Sequence, residues 1–165
     1  MDMSSNEATL HLLCGKIAAG KSTLTARLGK LPNTVVVSED HWLSRLYPAE
    51  MISVADYVRC SARLRDAMGP HLVALLKCGV SIVLDFPANT PANRAWMRMI
   101  FEEAGASHQL HYLDVPDAVC KARLRARNAS GEHEFAATDE QFDLITRHFV
   151  APTADEGFNV VVHQQ

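Results

Sequence analysis

Residues Gly15-Lys16-Ile17-Ala18-Ala19-Gly20-Lys21-Ser22 set two glycines five positions apart and follow the second with a lysine and a hydroxyl. That spacing, G-x-x-x-x-G-K-[ST], is the pattern of a phosphate-binding loop. Glycines at both ends let the backbone curl until its N–H groups point inward at phosphate oxygens. Lys21 adds a mobile cation, and the Ser22 hydroxyl suits a Mg²⁺ ligand. These residues are expected to bind a purine nucleoside triphosphate with Mg²⁺; ATP and GTP both stay open.

Three further groups of residues have the chemistry to act on such a ligand. Asp40 and Asp85 each close an apolar, β-rich run, Thr34-Val35-Val36-Val37 and Val80-Ser81-Ile82-Val83-Leu84. In an open α/β sheet, ligands gather beyond the carboxyl ends of the strands, so both carboxylates are expected near the triphosphate. Asp85 suits the metal side, because Mg²⁺ takes oxygen ligands and keeps several waters. Asp40 suits acceptance of a proton from an incoming hydroxyl, and the alternative is that Asp40 or Ser38 caps a helix beginning near His41. In Lys121-Ala122-Arg123-Leu124-Arg125-Ala126-Arg127 the basic residues divide between two helix faces. Arg123 and Arg127 share one face, able to stabilise charge on a transferring phosphoryl group; Lys121 and Arg125 share the other, read as solvated. The alternative for the whole run is a charged surface helix. A polar loop, 128–137, follows as a candidate lid, with His133 read as a surface residue rather than a catalytic one.

The elements that must position these groups alternate. A buried strand is expected over Thr9–Cys14, a helix over Ser22–Leu28, a second strand over Thr34–Val37, and a long helix from about Val54 to Lys77, bent near Gly69-Pro70. A third strand over Val80–Asp85, a helix over Pro91–Ala104 and a fourth strand over Gln109–Leu113 follow. Helices over Pro116–Arg127 and Thr138–Val150 and a last strand over Phe158–Val162 complete the chain. Strand and helix in alternation imply an α/β fold on a parallel sheet. Trp42, Tyr47, Tyr57 and the basic Arg45, Arg59, Arg63 and Arg65 fall in the 38–66 segment, expected to build a pocket for a polar or anionic acceptor; core packing is the other reading for the aromatic residues.

At 165 residues the chain suits one domain with a full core, so residues 1–165 are read as a single unit with a lid at about 120–137. A formal net charge of −3 lacks the electrostatic footprint of a nucleic-acid binder, which leaves nucleic acid possible but disfavoured. Cys14, Cys60, Cys78 and Cys120 are scattered, without C-x-x-C spacing, and read as reduced, buried thiols. The start of the chain has no signal-peptide pattern and no run has membrane-spanning length, so a cytoplasmic protein without membrane association is expected.

Taken together, GKIAAGKST, VVVSED, VLDFPANTPANR, YLDVPDAVCKARLRARN and APTADEGFNVVV resemble the small P-loop kinases, a group that includes polynucleotide 5′-kinase domains, chloramphenicol phosphotransferase and zeta-toxin kinases and is often labelled as AAA-type ATP-binding proteins. The resemblance covers most of the chain. It implies a P-loop NTPase three-layer sandwich, a five-stranded parallel sheet flanked by helices. It also implies nucleotide contacts from Gly15 through Thr23, with Lys21 on the phosphates and Ser22 on Mg²⁺. Asp40 would be the general base, Asp85 would stand near metal or acceptor, Arg123 and Arg127 would be lid arginines, and Arg94 matches a helix arginine of the pattern. The chain departs from its relatives after Asp85, where they carry a D-A-T-N turn and it carries Asp85-Phe86-Pro87-Ala88-Asn89.

The leading expectation is transfer of the γ-phosphoryl group of ATP to a hydroxyl of an unidentified small molecule. One alternative is a regulatory ATPase or GTPase switch read by a protein partner, opposed by the missing N-K-x-D guanine-reading sequence. The other is a polynucleotide 5′-hydroxyl kinase, which needs a basic channel.

Overall fold

The structure, a computed structural model, describes residues 7–131 and 137–164. Five strands form one sheet in the order β2-β3-β1-β4-β5, every neighbouring pair parallel: β1 Thr9–Cys14, β2 Thr34–Ser38, β3 Ser81–Pro87, β4 Ser107–Asp114 and β5 Val160–Gln164. Helices α1 Lys21–Leu28, α2 Glu39–Leu46, α3 Val54–Lys77, α4 Pro91–Ala104, α5 Asp117–Ser130 and α6 Asp139–Thr146 connect or cover them. The P-loop NTPase sandwich implied by the resemblance is therefore the fold observed.

Alternation along the central strands sorts side chains between two cores. Leu10, Leu12, Ile82, Leu84 and Leu110 meet Leu64, Met68 and Leu72 of α3 and Met97 and Phe101 of α4 on one face. Leu13, Val83 and Leu113 meet Leu24 of α1, Leu124 of α5 and Phe142 of α6 on the other. Each fully buried aliphatic side chain contributes about 2 kcal/mol. The edge strand β2 leaves Val35 and Val36 exposed, as an unpaired edge does.

Several predicted boundaries move, each for a local reason. α2 begins at Glu39 rather than near His41, because the Ser38 hydroxyl accepts from the His41 N–H and so caps the helix; Asp40 lies in its first turn, not at a strand end. β3 runs on to Pro87, past Asp85, through an irregularity that shifts the β1 register from Leu12↔Leu84 to Leu13↔Pro87. α3 is one helix of 24 residues that carries Pro70 within it. α6 stops at Thr146, short of Val150, and a 3₁₀ turn at Ala154–Glu156 precedes β5. α5 extends to Ser130, into the expected loop, and His133 lies outside the described residues. Cys14, Cys60 and Cys120 are buried as expected, whereas Cys78 is exposed. Among the described residues no helix is long and apolar enough to cross a membrane.

A chain of three imidazoles runs across the sheet. His11 Nδ1 lies 3.0 Å from His111 Nε2, and His111 Nδ1 lies 3.0 Å from His163 Nε2, linking β1, β4 and β5. Burial lowers the pKa of all three, and His111, flanked by both partners and by Arg27, falls to about 4. A histidine that binds its proton more weakly when folded leaves the unfolded chain with more protons, so stability is lost as pH falls from about 6.5 toward the folded value. His111 alone is expected to remove on the order of 3 kcal/mol between pH 6.5 and 4. Chemical denaturation across that range should show a steeper decline for the native chain than for His111→Gln, and equal slopes would contradict the effect.

Candidate functional site

The loop between β1 and α1 is curled as a phosphate cradle. Gly20 sits at φ 105°, in the left-handed region, where a Cβ would strain the turn. Gly15 is closely packed, since a Cβ there would come within 3.3 Å of the Cβ atoms of Ala19 and Leu113. Lys21 folds back into the loop, its Nζ donating to the Gly15 carbonyl and, at 3.0 Å, to the Lys16 carbonyl. Burial lowers the Lys21 pKa, opposed by the negative charge of Asp85. Ser22 and Thr23 follow in the exposed first turn of α1, with unpaired N–H groups at the positive end of the helix dipole.

Of the two expected carboxylates, Asp85 stands in electrostatic reach of Lys21, and Asp40 in reach of Asp85. Burial raises the Asp85 pKa, and Asp40 and Glu39 raise it further, while Lys21 opposes them. Asp40 is exposed, and its charge also reaches Tyr57. Surplus negative charge beside the phosphate cradle suits a divalent cation. Among the described residues no group of three His, Cys, Asp or Glu side chains converges on a metal position. Mg²⁺ is held by one or two carboxylates with phosphate and water oxygens, so it needs no such group. The hard oxygens of Ser22 and Asp85 fit that donor set.

The two faces of α5 behave differently, though not as expected for the second. Arg123 Nη1 reaches the loop carbonyls of Ala18 at 3.4 Å and Ala19 at 3.3 Å. Arg127 follows one turn later, half-buried. Lys121 and Arg125 are not merely solvated: Lys121 pairs with Asp143 at 2.9 Å, and Arg125 grips Asp139 with two donors, so this face ties α5 to α6.

Beside the loop lies a pocket of about 500 Å³ bounded by Lys16 and Ile17, by Tyr57, Val58, Ser61 and Arg65 of α3, by the β3–α4 turn and by residues 145–149. Tyr57 and Arg65, both from the 38–66 segment, thus line it. Trp42 is instead exposed, and Tyr47 packs on the main core. Arg45, Arg59 and Arg63 are exposed, Arg59 pairing with Asp56 at 2.9 Å.

Sequence reasoning missed Glu39, which is 2% exposed and holds this wall together. Tyr57 Oη donates to Glu39 Oε1, Ser61 Oγ donates to Oε2 at 2.9 Å, and Arg65 Nη2 lies 3.7 Å from Oε2. The signal was present: Tyr57, Ser61 and Arg65 recur at four-residue spacing, one polar stripe on a helix that needs a buried partner. Asn89 was missed as well. Its Oδ1 accepts the Gly15 N–H at 3.0 Å, so the departure from the D-A-T-N turn still delivers an asparagine to the loop. Arg94, 1% exposed, secures that turn by donating to the Ala88 carbonyl at 2.9 Å, to the Val150 carbonyl at 2.8 Å and to the Glu156 carboxylate at 2.9 Å.

The parallel sheet, the curled loop at the end of its central strand and the adjoining pocket define a P-loop protein of the kinase-like fold. The sequence profile of the AAA domain family AAA_33 matches residues 10–152, and the chain belongs to that family. No curated protein matches it. Similar solved structures share the fold at low identity. The APS kinase CysC of Mycobacterium tuberculosis, in complex with AMPPNP and APS, aligns at TM-score 0.62 and 20% identity, over 96% of this chain and 88% of that one. A Janibacter sugar kinase, unliganded, aligns at TM-score 0.65 and 17% identity, over 95% and 85%. A chain from the PezAT toxin–antitoxin system of Streptococcus pneumoniae aligns at 0.70 and 17%, over 98% and 70%.

Two outcomes are expected. Lys21→Ala should weaken triphosphate binding in calorimetry while leaving the unfolding transition in place, because it removes a loop cation whose only hydrogen bonds among the described residues are to the Gly15 and Lys16 carbonyls of the loop itself; native affinity in the variant would remove Lys21 from phosphate binding. Glu156→Ala strands the buried Arg94 charge and should cost about 3 kcal/mol in denaturant unfolding; a loss below about 1 kcal/mol would remove the pair from its anchoring role.

Proposed function

We propose that this protein is an ATP- and Mg²⁺-dependent phosphotransferase that moves the γ-phosphoryl group to a hydroxyl of a small molecule. The observation that carries the reading is the shared wall: Lys16 and Ile17 belong both to the phosphate loop and to the 500 Å³ pocket, so a molecule in that pocket borders the phosphates. A volume of this order suits a small-molecule ligand. A pure nucleotide switch does not require such a pocket, and the net charge of −3 disfavours a nucleic-acid strand as the acceptor.

Each residue has a role in this reading. The loop N–H groups and Lys21 hold the phosphates, while Arg123 and Arg127 meet the charge that spreads over the transferring group. Ser22 and Asp85 would hold Mg²⁺, whose chemistry is to neutralise phosphate charge. Asp40 accepts the acceptor's proton as the hydroxyl oxygen bonds to the γ-phosphorus. The bond from that phosphorus to the bridging oxygen breaks, and its electron pair leaves on ADP. Support for Asp40 comes from its position in electrostatic reach of both Asp85 and the pocket residue Tyr57. The family likeness and the AMPPNP held by one structural neighbour support the nucleotide assignment.

Label from γ-labelled ATP is expected to pass into a component of a metabolite extract, to require Mg²⁺, and to stop with EDTA. Asp40→Asn should keep nucleotide affinity and lower the transfer rate by about a hundredfold or more. Transfer at the native rate by this variant would exclude Asp40 as the base, and parallel measurements with labelled GTP decide the purine.

A further inference from the structure

The polar groups lining the acceptor pocket are not equally available to a ligand. Both of its Lys and Arg side chains already face a carboxylate: Lys16 Nζ lies 2.6 Å from Asp117 Oδ1, and Arg65 Nη2 lies 3.7 Å from Glu39 Oε2. Arg65 also donates to Asn93 Oδ1 at 3.0 Å and lies over the Trp96 ring. The hydroxyls of Tyr57 and Ser61 donate to Glu39, and that of Thr146 donates to the Phe142 carbonyl at 2.8 Å. His148, a further titratable lining residue, is exposed.

Arg65 keeps one donor without a partner, its buried Nε, and the His148 ring is open at the rim; the other open groups are uncharged. The Asn89 and Asn93 side-chain oxygens are engaged by Gly15 N–H and Arg65, and Thr90 Oγ1 accepts the Asn93 N–H at 3.2 Å. The Nδ2 amides of both asparagines and the Thr90 hydroxyl proton have no protein acceptor among the described residues, with the amide orientations assigned from these bonds. Apolar surface adjoins them, with Val58 60% and Ile145 49% exposed, beside Phe149 and Ile17. Nearby, Asp40 and Asp85 add negative charge.

We infer that the acceptor is an uncharged hydroxyl compound with an apolar part, held by the Asn89 and Asn93 amides and the Thr90 hydroxyl, and that phosphorylated, sulfated or carboxylated acceptors are excluded. This rests on the phosphotransferase reading. An anion entering the pocket would have to draw Lys16 or Arg65 away from its carboxylate or rely on His148 at the exposed rim, while Asp40, in electrostatic reach of Tyr57, repels it; each of these opposes its burial. A neutral acceptor keeps both pairs intact and covers exposed apolar area.

Two experiments test this on the full chain. In the first, a metabolite extract is separated by anion exchange into neutral and anionic pools, and each is incubated with the protein, Mg²⁺ and γ-labelled ATP. Labelled product from the neutral pool alone is expected. Labelled product from the anionic pool overturns the acceptor class while leaving phosphotransfer standing, whereas label in neither pool overturns the phosphotransferase reading and the acceptor class with it. In the second, protein loaded with Mg²⁺ and a non-hydrolysable ATP analogue is titrated with inorganic phosphate at pH 8 and followed by the amide resonances of Tyr57 and Asn93. The native pocket should bind phosphate at least about tenfold more weakly than Glu39→Gln, in which Arg65 loses its counter-charge. Asp117→Asn, at an exposed position, should show the same gain through Lys16 even if Glu39→Gln fails to fold. Native binding as tight as in both variants overturns the neutral-pocket assignment.

Discussion

The site depends on a buried guanidinium. Arg94 reaches the Ala88 carbonyl, the Val150 carbonyl and the Glu156 carboxylate, and the residue after Ala88, Asn89, accepts the first N–H of the phosphate loop while its own carbonyl accepts the Val150 N–H. One side chain thereby joins the β3–α4 turn, the segment after α6 and the 3₁₀ turn before β5, and through Asn89 it fixes where the loop begins. A planar fork with five donors can satisfy three acceptors in fixed directions, which a lysine cannot. Its burial is sustainable because the charge is paired and the neutral partners are backbone carbonyls.

On this frame, charge is sorted by element. Positive groups come from the loop and from the inner face of α5, while negative groups come from Asp85 within β3 and from the first turn of α2. The outer face of α5 is joined to α6 by Lys121–Asp143 and Arg125–Asp139, so the helix carrying Arg123 is anchored from behind while its arginine rests on the loop carbonyls. Exposed pairs of this kind contribute little stability individually. They nonetheless orient the helix, and orientation decides which arginines reach a phosphate. Glu39 acts in the same way on the opposite side, since one buried carboxylate sets the positions of Tyr57, Ser61 and Arg65 together.

Much of this was legible in order and type. The loop motif, the β-branched run of β2, the apolar runs of β1 and β3 and the Pro91 and Gly105 that bound α4 all carry local signals that tertiary contacts did not override. The misplaced boundaries share a cause. Strand ends are set by pairing with a neighbour, so the extension of β3 to Pro87 depends on its register with Leu13, which no local pattern contains. The start of α2 depended on which of Ser38 and Asp40 supplied the cap, and both are good capping residues. Lys121 and Arg125 read as solvated because their partners are supplied by a helix beyond residues 132–136.

By itself the sequence determined the α/β class and the phosphate-loop motif, because those follow from short-range spacing and from the alternation of strand and helix, and it nominated Lys21, Ser22, Asp40, Asp85 and the α5 arginines as candidates. Only the tertiary structure decided which charges are already neutralised. Glu39 against Arg65 and Asp117 against Lys16 are pairs of residues distant in the chain, brought together by the crossovers of a parallel sheet. The charge left over for a ligand is a sum over such distant neighbours, and local sequence holds no information on that sum.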